Sequence, residues 1–453
     1  MEKIPVALTI AGSDSGGGAG IQADLKTFAA LGAHGTVALT AITAQNTEGV
    51  YAIQDVDLEV IEKQLDVVID DIGVDAAKTG MLHRKEVIKL VAEKVSAHNL
   101  PLVVDPVMVS KSGSRLLMEE AEDALRRLLL PVATVVTPNA VEAEALSGIK
   151  VRDIKEMEMA ARTISEFGPK AVVVKGGHVD TGNQIVDVLY SDGEFTKFVG
   201  ARVNTKNTHG TGCAFSAAIT VELAKGRSVK EAVKVARELI GVAVDYGLPL
   251  GRGHGPVNPT AWLQIPAEKY HVIDNLSKAV ELIEANPEVA DLIPEVQSNI
   301  AMALPKFYLR GVEDVAAIPG RIVKFKGRPK ASGTPEFGAS SHLARILLTV
   351  MEEDPRIRSL MNIKYSAKIV EACRNLGYTI SSFDRREEPK ELKEKEGGTL
   401  PWGVKLAIKR AGLVPDIIYD LGDVGKEPMI RVFGEDAVEV VNKVVKIADT
   451  IKR

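Results

Sequence analysis

The stretch that decides the fold is Asn207-Thr208-His209-Gly210-Thr211-Gly212-Cys213, which stands directly before the apolar run 214–219. Two glycines and a threonine ahead of an apolar helix predict a turn whose backbone N–H groups point at one spot. The helix dipole adds about half a positive charge there, so the turn is suited to binding an anion.

Cys213 is predicted to open that helix, a position that stabilises thiolate and is therefore expected to lower the pKa of the thiol. An anion cradle with a potential base at its rim suits transfer of a phosphoryl group to a hydroxyl. The alternative is a glycine-rich turn between strand and helix, with a cysteine that only packs. His209, a single histidine in this stretch, is interpreted as structural.

The first half of the chain alternates apolar, strand-like runs with longer amphipathic segments. This pattern predicts an α/β fold with a mostly parallel sheet covered by helices on both faces, and ligands of such sheets bind beyond the carboxyl ends of the strands. The predicted strands are 6–12, 36–45, 74–81, 102–109, 134–139 and 171–177, with an edge hairpin over 185–190 and 194–199. The predicted helices are 19–31, 58–69, 84–98, 119–130 and 154–167.

A glycine-rich loop, residues 12–20, follows the first predicted strand and leads to Asp24. It has neither the Gly-x-Gly-x-x-Gly spacing of a dinucleotide site nor a following Gly-Lys-Ser/Thr, which excludes a Rossmann fingerprint and a P-loop. We expect this loop and Asp24 to lie over the ligand site. The alternative is a plain flexible loop.

Three further strand ends carry polar residues. Asp105 lies at the tip of a buried strand, whereas Asn139 and Glu142 are three residues apart on one face of a first helical turn. This pair could hold a hydrated Mg²⁺ through waters, or it could be an N-cap with a capping box. Lys175, followed by two glycines, suits a nucleotide phosphate.

Segments 11–24 and 207–213 resemble the hydroxymethylpyrimidine/phosphomethylpyrimidine kinases, the thiamin-pathway branch of the ribokinase-like superfamily. The resemblance spans 4–262, with the motifs in the family's order. It implies a ribokinase-like fold and two successive ATP- and Mg²⁺-dependent phosphorylations, first of the pyrimidine alcohol and then of its monophosphate. Pyridoxal kinase is the alternative within the superfamily, because both substrates are substituted heteroaromatic methanols.

The resemblance also implies roles for individual residues. Cys213 stands where sugar kinases of the superfamily carry an aspartate, which makes its thiol the implied catalytic base. The implied residues are Gly12, Asp24 and Gln45 at the pyrimidine, Lys175, Gly210, Thr211, Gly212 and Cys213 at the phosphates, and Asp105, Asn139 and Glu142 around the metal.

The resemblance to the kinases ends at residue 262, whereas the sequence has 453 residues. Chains beyond roughly 250–300 residues usually divide into domains. We therefore expect a kinase domain over 1–262, a linker over 263–272 and a smaller, mixed α/β domain over 273–453. The predicted helices of the second domain are 276–285, 342–352, 367–376, 404–411 and 437–451, and its predicted strands are 321–326, 359–364, 378–383, 416–420 and 429–432.

The most informative element of the second domain is the start of a predicted helix, where Gly338, Ser340, Ser341 and His342 stand close together. A glycine, two hydroxyls and a histidine at a helix start again build an anion site, with Arg345 one turn along. The alternative is an ordinary serine N-cap with an arginine on the helix face.

Segment 335–346 resembles the archaeal-type thiamine-phosphate synthase domain, and this resemblance covers 274–453. It implies that hydroxymethylpyrimidine diphosphate is joined to hydroxyethylthiazole phosphate with release of diphosphate. Arg321 and His342 are the implied essential residues, and basic groups and helix N–H donors would stabilise the departing diphosphate. The alternative is a domain that senses thiamine phosphate without catalysis, although no helix-turn-helix segment accompanies it.

Two later loops of this domain carry acidic residues, Asp384 and Asp423. Both are candidates to bind either metal or the aminopyrimidine, and their spacing does not decide between these roles. The pair Arg385-Arg386, beside Asp384, is interpreted as solvated.

Composition limits the partners and the location. The formal net charge is −5 and basic residues are dispersed, which favours small-molecule substrates over nucleic acid. No apolar segment approaches the roughly 18 residues of a membrane span. The two cysteines, Cys213 and Cys373, lie far apart, as expected in a reducing compartment. We therefore expect a cytoplasmic protein without membrane contact, and we expect it to form a homo-oligomer.

Overall fold

The computed structural model describes residues 3–108, 116–389, 399–423 and 425–452. The chain divides into two compact units, Met1–Leu263 and Gln264–Arg453. Each unit contains one large β-sheet with helices packed on both faces. Among the described residues, no helix is both long and apolar enough to cross a membrane.

The described residues of the first unit form nine strands. They are β1 (Val6–Asp14), β2 (His34–Gln45), β3 (Val50–Asp55), β4 (Ala76–Thr79), β5 (Leu102–Val104), β6 (Val135–Val136), β7 (Ala171–Val174), β8 (Gln184–Ser191) and β9 (Glu194–Ala201). Their order in the sheet is β3-β2-β1-β4-β5-β6-β7-β8-β9. The six strands from β2 to β7 in this order are parallel, whereas β3 and the β8–β9 hairpin are antiparallel at the two edges.

Helices cover this sheet on both sides because successive strand residues point to opposite faces. Val103 and Val173 pack with α1, α7 and α8, whereas Val104 and Val174 pack with helices α2 to α6. The helices are α1 (Gly20–Ala30), α2 (Leu58–Val67), α3 (Lys85–Ala97), α4 (Glu119–Ala124), α5 (Ala140–Ser147), α6 (Ile154–Ser165), α7 (Thr211–Ala224) and α8 (Val229–Asp245). The next helix, α9 (Ala261–Ala285), belongs mostly to the second unit.

The part of the second unit that the structure describes also contains nine strands. They are β10 (Ile300–Ala303), β11 (Val315–Ala317), β12 (Ile322–Phe325), β13 (Arg328–Ala331), β14 (Glu336–Phe337), β15 (Ser359–Lys364), β16 (Ile380–Phe383), β17 (Ile417–Asp420) and β18 (Met429–Gly434). Seven of them form a mixed sheet in the order β14-β11-β10-β15-β18-β17-β16, and β12 and β13 form a separate hairpin.

The helices of the second unit pack on the two faces of its mixed sheet. Ile300 and Met302 of β10 lie in a core with α9 and two further helices, whereas Ala301 and Ala303 lie in the core on the other face. The helices that follow α9 are α10 (Ser341–Glu353), α11 (Ala367–Asn375), α12 (Thr399–Ala411) and α13 (Ala437–Lys452).

The predicted α/β fold class is confirmed, and the differences from the sequence-based expectations have local causes. Predicted strands 102–109 and 134–139 end early, at Val104 and Val136, because Pro106 and Pro138 lack the N–H that pairing needs. Residue 109 lies outside the described residues. Strand β3 was missed because half or more of its residues face solvent. The predicted linker 263–272 forms part of helix α9.

Candidate active sites

The first unit has a cavity of about 1250 Å³ at the carboxyl ends of its parallel strands. Its wall brings together the glycine-rich loop after β1, the end of β2, Asp105 after β5, the start of α5, Lys175 after β7 and the start of α7. The stretches that the sequence predicts to bind ligands thus lie at one site. Of the eleven residues implied for this unit, only Asp24 does not line the cavity.

The start of α7 is a cradle formed by the close approach of two loops. Gly210 is the N-cap residue with φ of 83°, and a Cβ there would lie 1.8 Å from the carbonyl oxygen of Gly18. A Cβ on Gly212 would lie 3.3 Å from Nζ of Lys175 and 3.5 Å from Oδ2 of Asp105. Glycine is therefore required at position 210, while Gly212 lets Lys175 and Asp105 approach the helix start, which is suited to face an anion.

Lys175 lies between two carboxylates at this cradle. Its Nζ is 2.9 Å from Oδ1 of Asp105. Burial opposes the charge on Lys175, but the carboxylates of Asp105 and Glu142 outweigh burial and raise its pKa. The ammonium therefore stays charged and directed at the start of α7, where a nucleotide phosphate would bind.

Glu142 and Asn139 form the capping box that was the alternative interpretation. The Asn139 N–H donates to Oε2 of Glu142 at 2.7 Å, and the Glu142 N–H donates to Oδ1 of Asn139 at 3.0 Å. Burial raises the pKa of Glu142 to about 7, with Lys175 opposing the rise and Asp105 adding to it. Both residues also line the cavity, so the capping role leaves their expected role toward a metal as a prediction.

Asp105, Asn139 and Glu142 fit Mg²⁺ only in its hydrated form. Within the described residues, no group of three His, Cys, Asp or Glu side chains is arranged to hold a metal ion directly. Asp105 is already paired with Lys175, and one oxygen of Glu142 is occupied by Asn139. Mg²⁺ commonly keeps several waters and contacts few carboxylates, which suits this donor set.

The expectation of a lowered Cys213 pKa is wrong. Burial raises the pKa of this thiol to about 12, although the nearby Lys78 ammonium opposes the rise; Asp24 and Asp105 add to it. The helix terminus favours thiolate, but loss of water and two carboxylates outweigh it. Cys213 is thus a protonated thiol at neutral pH in the ligand-free protein.

Asp24 was expected to contact the pyrimidine, but its side chain is fully buried beneath the site. Its carboxylate accepts hydrogen bonds from Thr9 Oγ1 at 2.6 Å and from Lys78 Nζ at 3.0 and 3.1 Å. The Lys78 side chain is also fully buried. Asp24 therefore neutralises a lysine in the centre of the sheet, since an unpaired buried charge is unstable.

Two charged residues of the cavity wall near Lys175 were not predicted. Asp187 of β8 accepts the Gly176 N–H at 2.9 Å and pairs with Arg237 of α8 at 3.3 Å. Both Asp187 and Arg237 line the cavity. Asp187 thereby fixes the backbone that follows Lys175. The available signal was a single charge inside the apolar run 185–189.

The second unit brings its predicted anion-binding residues to the start of α10. Ser340 caps this helix, its Oγ accepting the Leu343 N–H at 3.4 Å, as the alternative interpretation proposed. Gly338 has φ of 77° and its N–H donates to the Val315 carbonyl at 2.9 Å. Ser341 and His342 follow in the first helical turn.

The interpretation of Arg385 as solvated is wrong. Arg385 and Arg431 are both buried and share the fully buried carboxylate of Asp420. Arg385 Nε lies 2.6 Å from Asp420 Oδ1, and Arg431 lies 2.8 Å from Oδ2. Arg386, in contrast, is exposed and paired with Asp384. Asp420 and Arg431 were missed, although Arg431 is a single charge in the apolar run 429–433.

The pKa of His342 is affected by an excess of positive charge around it. Although the His342 side chain is exposed at its surface, its partial removal from water lowers its pKa to about 4, and the charges of Arg431, Arg385, Arg321 and Arg345 lower it further, in that order. Asp420 balances only part of this charge. Arg321 has φ of 67°, a conformation that non-glycine residues rarely adopt and that clusters at functional sites. The charges of these four arginines act on a neutral imidazole, so positive charge is concentrated at the start of α10.

The acidic loop residues lie at the edge of this cluster. Arg386 lowers the pKa of Asp384 to about 2 and bonds to both of its oxygens, which leaves Asp384 engaged as an ion pair. Asp423 forms a backbone turn with Lys426. Their expected roles toward metal or aminopyrimidine stay predictions.

Two family models match the chain. One is described as phosphomethylpyrimidine kinase and matches residues 14–258; the other is described as thiamine-phosphate synthase ThiN and matches residues 275–446. Together with the sheet topology and the anion cradle, these matches define a ribokinase-like small-molecule kinase joined to a synthase domain.

A relative matches both parts. The chain is 37% identical over 441 residues to the bifunctional thiamine biosynthesis protein ThiDN of Methanocaldococcus jannaschii, covering 97% of each chain. The chain belongs to this family of bifunctional thiamine biosynthesis proteins. It is an enzyme with hydroxymethylpyrimidine/phosphomethylpyrimidine kinase and thiamine-phosphate synthase activities, which confirms the predicted function.

The kinase part is also similar to single-domain proteins. It is 46% identical over 269 residues to the hydroxymethylpyrimidine/phosphomethylpyrimidine kinase of Haemophilus influenzae, covering 58% of this chain and all of that relative. An ADP complex of Bacillus subtilis pyridoxal kinase matches with a TM-score of 0.54 and 43% identity, over 57% of this chain and 98% of that chain. The predicted ribokinase-like fold is thereby confirmed.

Proposed function

We propose that the cavity of the first unit carries out both phosphorylations, with the nucleotide phosphates at the start of α7. The observation that carries this proposal is a close approach at Gly212. A Cβ atom placed on Gly212 would lie within 3.5 Å of both Nζ of Lys175 and Oδ2 of Asp105. Lys175 and the N–H groups of residues 211–213 would stabilise the charge on the transferred phosphoryl group. ATP is the phosphoryl donor, and hydrated Mg²⁺ would be held through water by Asp105, Asn139 and Glu142, partly neutralising the phosphates.

In the first phosphorylation, the hydroxymethyl oxygen of 4-amino-5-hydroxymethyl-2-methylpyrimidine attacks the γ-phosphorus while the bond to the ADP oxygen breaks. Cys213 stands beside the cradle and accepts the hydroxyl proton in its thiolate form. Since the pKa of the thiol is about 12, this form is a minor one at neutral pH. The reaction therefore depends on positioning and charge together with this small thiolate population, which is a strong base.

The second phosphorylation differs chemically from the first. The attacking group is a phosphate oxygen of the monophosphate, which carries no proton that must be removed at neutral pH. Cys213 therefore has no acid–base role in this step, whereas Lys175 and the α7 cradle serve both steps.

We further propose that the arginine cluster of the second unit binds the diphosphate of the activated pyrimidine. The thiazole nitrogen attacks the pyrimidine methylene carbon, and the carbon–oxygen bond to diphosphate breaks. Arg321, Arg345 and the N–H groups at the start of α10 would stabilise the departing oxygens. Arg385 and Arg431 are held by Asp420, so they supply charge without moving.

Neutral His342 is suited to donate a hydrogen bond to the departing diphosphate. Its lowered pKa means that the imidazole carries one N–H at neutral pH and adds no further charge. Ser340 and Ser341 lie in the same helix start and would complete the contacts, together with the Gly338 backbone.

One incubation tests both sites. Purified protein, hydroxymethylpyrimidine, Mg-ATP and hydroxyethylthiazole phosphate are mixed, and the products are resolved by mass. We expect thiamine phosphate from the intact chain and only pyrimidine diphosphate from His342→Ala. Tight thiamine-phosphate binding without turnover would instead support a sensing domain, and phosphorylation of pyridoxal alone would support the other kinase activity.

We also propose that residues 1–262 and 273–453 act as separate functional domains, that the protein is cytoplasmic, and that it forms a homo-oligomer that binds neither nucleic acid nor membrane. The net charge of −5 and the biosynthetic family support these proposals. Size-exclusion chromatography with light scattering tests the oligomer.

A further inference from the structure

A chain of polar side chains lines one wall of the kinase cavity. His209 Nε2 lies 2.9 Å from Asp14 Oδ2, and the carboxamide nitrogen of Gln45, as placed, lies 3.3 Å from the same His209 nitrogen. The Gln45 carboxamide oxygen lies 3.3 Å from Thr43 Oγ1. Three loops, after β1, after β2 and before α7, therefore meet at Gln45.

Asp14 is the fixed end of this chain because it can only accept hydrogen bonds. Its carboxylate accepts the N–H groups of Gly16, Gly18 and Ala19 at 2.8 to 3.0 Å. Burial would raise the pKa of Asp14, but the His209 hydrogen bond and these N–H donors outweigh it and lower the pKa. An ionised acceptor at 2.9 Å requires that His209 Nε2 carries a hydrogen directed at Asp14.

This requirement determines which end of the Gln45 carboxamide faces His209. A carboxamide nitrogen there would set one N–H donor against another. On the other side, Thr43 Oγ1 already donates its single hydrogen to the Ser13 carbonyl at 2.7 Å, so it can only accept from Gln45. Turning the carboxamide by 180° removes the donor–donor clash, because its oxygen can share the single Nε2 hydrogen that His209 directs at Asp14, and it lets the carboxamide nitrogen donate to Thr43 Oγ1. The oxygen and nitrogen positions are nearly interchangeable in shape.

We propose that Asp14 and His209 are positioning residues that hold the Gln45 oxygen toward His209 and its nitrogen toward Thr43, and thereby select the substrate ring. The free edge of Gln45 then offers an acceptor on the His209 side and a donor on the Thr43 side. An aminopyrimidine presents the matching pair, an amino donor beside a ring-nitrogen acceptor, with the amino group on the His209 side. This inference rests on the proposed function of the cavity.

The test uses a substrate pair of opposite polarity. In the 4-oxo analogue of hydroxymethylpyrimidine, the ring N–H donates and the oxygen accepts, so it needs the opposite orientation of Gln45. His209→Phe removes the constraint. We expect the ratio of kcat/KM for the amino over the oxo substrate to fall at least about tenfold, because an inverted polar contact is strongly rejected only in a fixed site. The KM for Mg-ATP should change less than about twofold.

The matched control is His254→Phe, since His254 is exposed and its ring contacts only the Lys206 carbonyl. It should leave the ratio unchanged. An unchanged ratio in a His209→Phe variant that still binds Mg-ATP overturns the inference. If that variant fails to fold, a crystal structure of the wild type with the aminopyrimidine decides: the amino group on the Thr43 side overturns the inference, and on the His209 side supports it. No phosphorylation of the aminopyrimidine by the wild type would instead overturn the proposed function.

Discussion

The two candidate sites of this protein are built by different means. At the kinase site, the start of α7 lies beside one lysine, whereas in the second unit four arginines act on the charge state of His342. A phosphoryl group that is transferred needs a cradle shared with Mg²⁺, so few fixed cations suffice. A diphosphate that leaves as an anion needs charge that stays in place.

Both sites nevertheless rest on a buried ion pair within their sheet. Lys78 of β4 is paired with Asp24 in the first unit, and Arg431 of β18 is paired with Asp420 in the second. The first pair lies beneath the cavity, while the second forms part of the cluster that the substrate would meet. A buried ion pair thus lies beneath the first site, whereas in the second unit such a pair is part of the arginine cluster itself.

The largest effect that would sharpen this comparison is expected for Cys213→Ala. Phosphorylation of the alcohol should slow by about 10²–10⁴-fold because the proton acceptor is lost. Phosphorylation of the monophosphate should slow far less, since it needs no base. Single-turnover rates for the two substrates measure the difference, with nucleotide binding and synthase activity as controls. Equal loss in both steps would leave positioning as the role of Cys213.

The next effect concerns the buried pair of the first unit. Lys78→Met leaves the Asp24 carboxylate buried without its partner and should destabilise this unit by about 3–5 kcal/mol. The double variant Lys78→Met/Asp24→Leu should recover most of that loss, because an apolar pair replaces the charges. Calorimetric unfolding reports both. A single variant as stable as the wild type would contradict the assignment of a tight ion pair.

A smaller effect is expected in the arginine cluster. Arg345→Met should reduce synthase activity by about 10–100-fold, mostly through weaker binding of the pyrimidine diphosphate, since a charged hydrogen bond contributes about 1.5–3 kcal/mol. Arg374→Met is the control, because Arg374 is an exposed residue paired with Glu371 on α11. Product formation by the kinase should be unaffected by either change.

The smallest effect is a pH dependence that separates the two sites. The pKa of Glu142 is about 7, so its carboxylate is lost as the pH falls below 7. The apparent affinity of the kinase for Mg²⁺ should then weaken by up to about tenfold per pH unit between 7 and 6, and Glu142→Gln should abolish this dependence. His342, with a pKa of about 4, gives the synthase no such change in this range.

The sequence by itself determined most of the elements and most of the cavity, but not the strands β3, β10, β11, β13 and β14. Strand–helix alternation and the glycine spacing at 12–20 and 207–213 depend on local backbone preferences, which the neighbouring residues in the sequence determine. Single charges also interrupt apolar strand runs of the sequence, at Lys78, Asp187 and Arg431. Each indicates a buried ion pair, because a buried charge is stable only when it is paired.

Only the tertiary structure decided how these groups are charged and oriented. Burial raised the pKa of Cys213 and withdrew Arg385 from solvent, and neither effect follows from nearby residues. Asp14 and His209 are 195 residues apart, and His209 and Gln45 are 164 apart. Their hydrogen-bond polarity exists only when the fold brings them together, because pKa and donor direction depend on what surrounds a group in space.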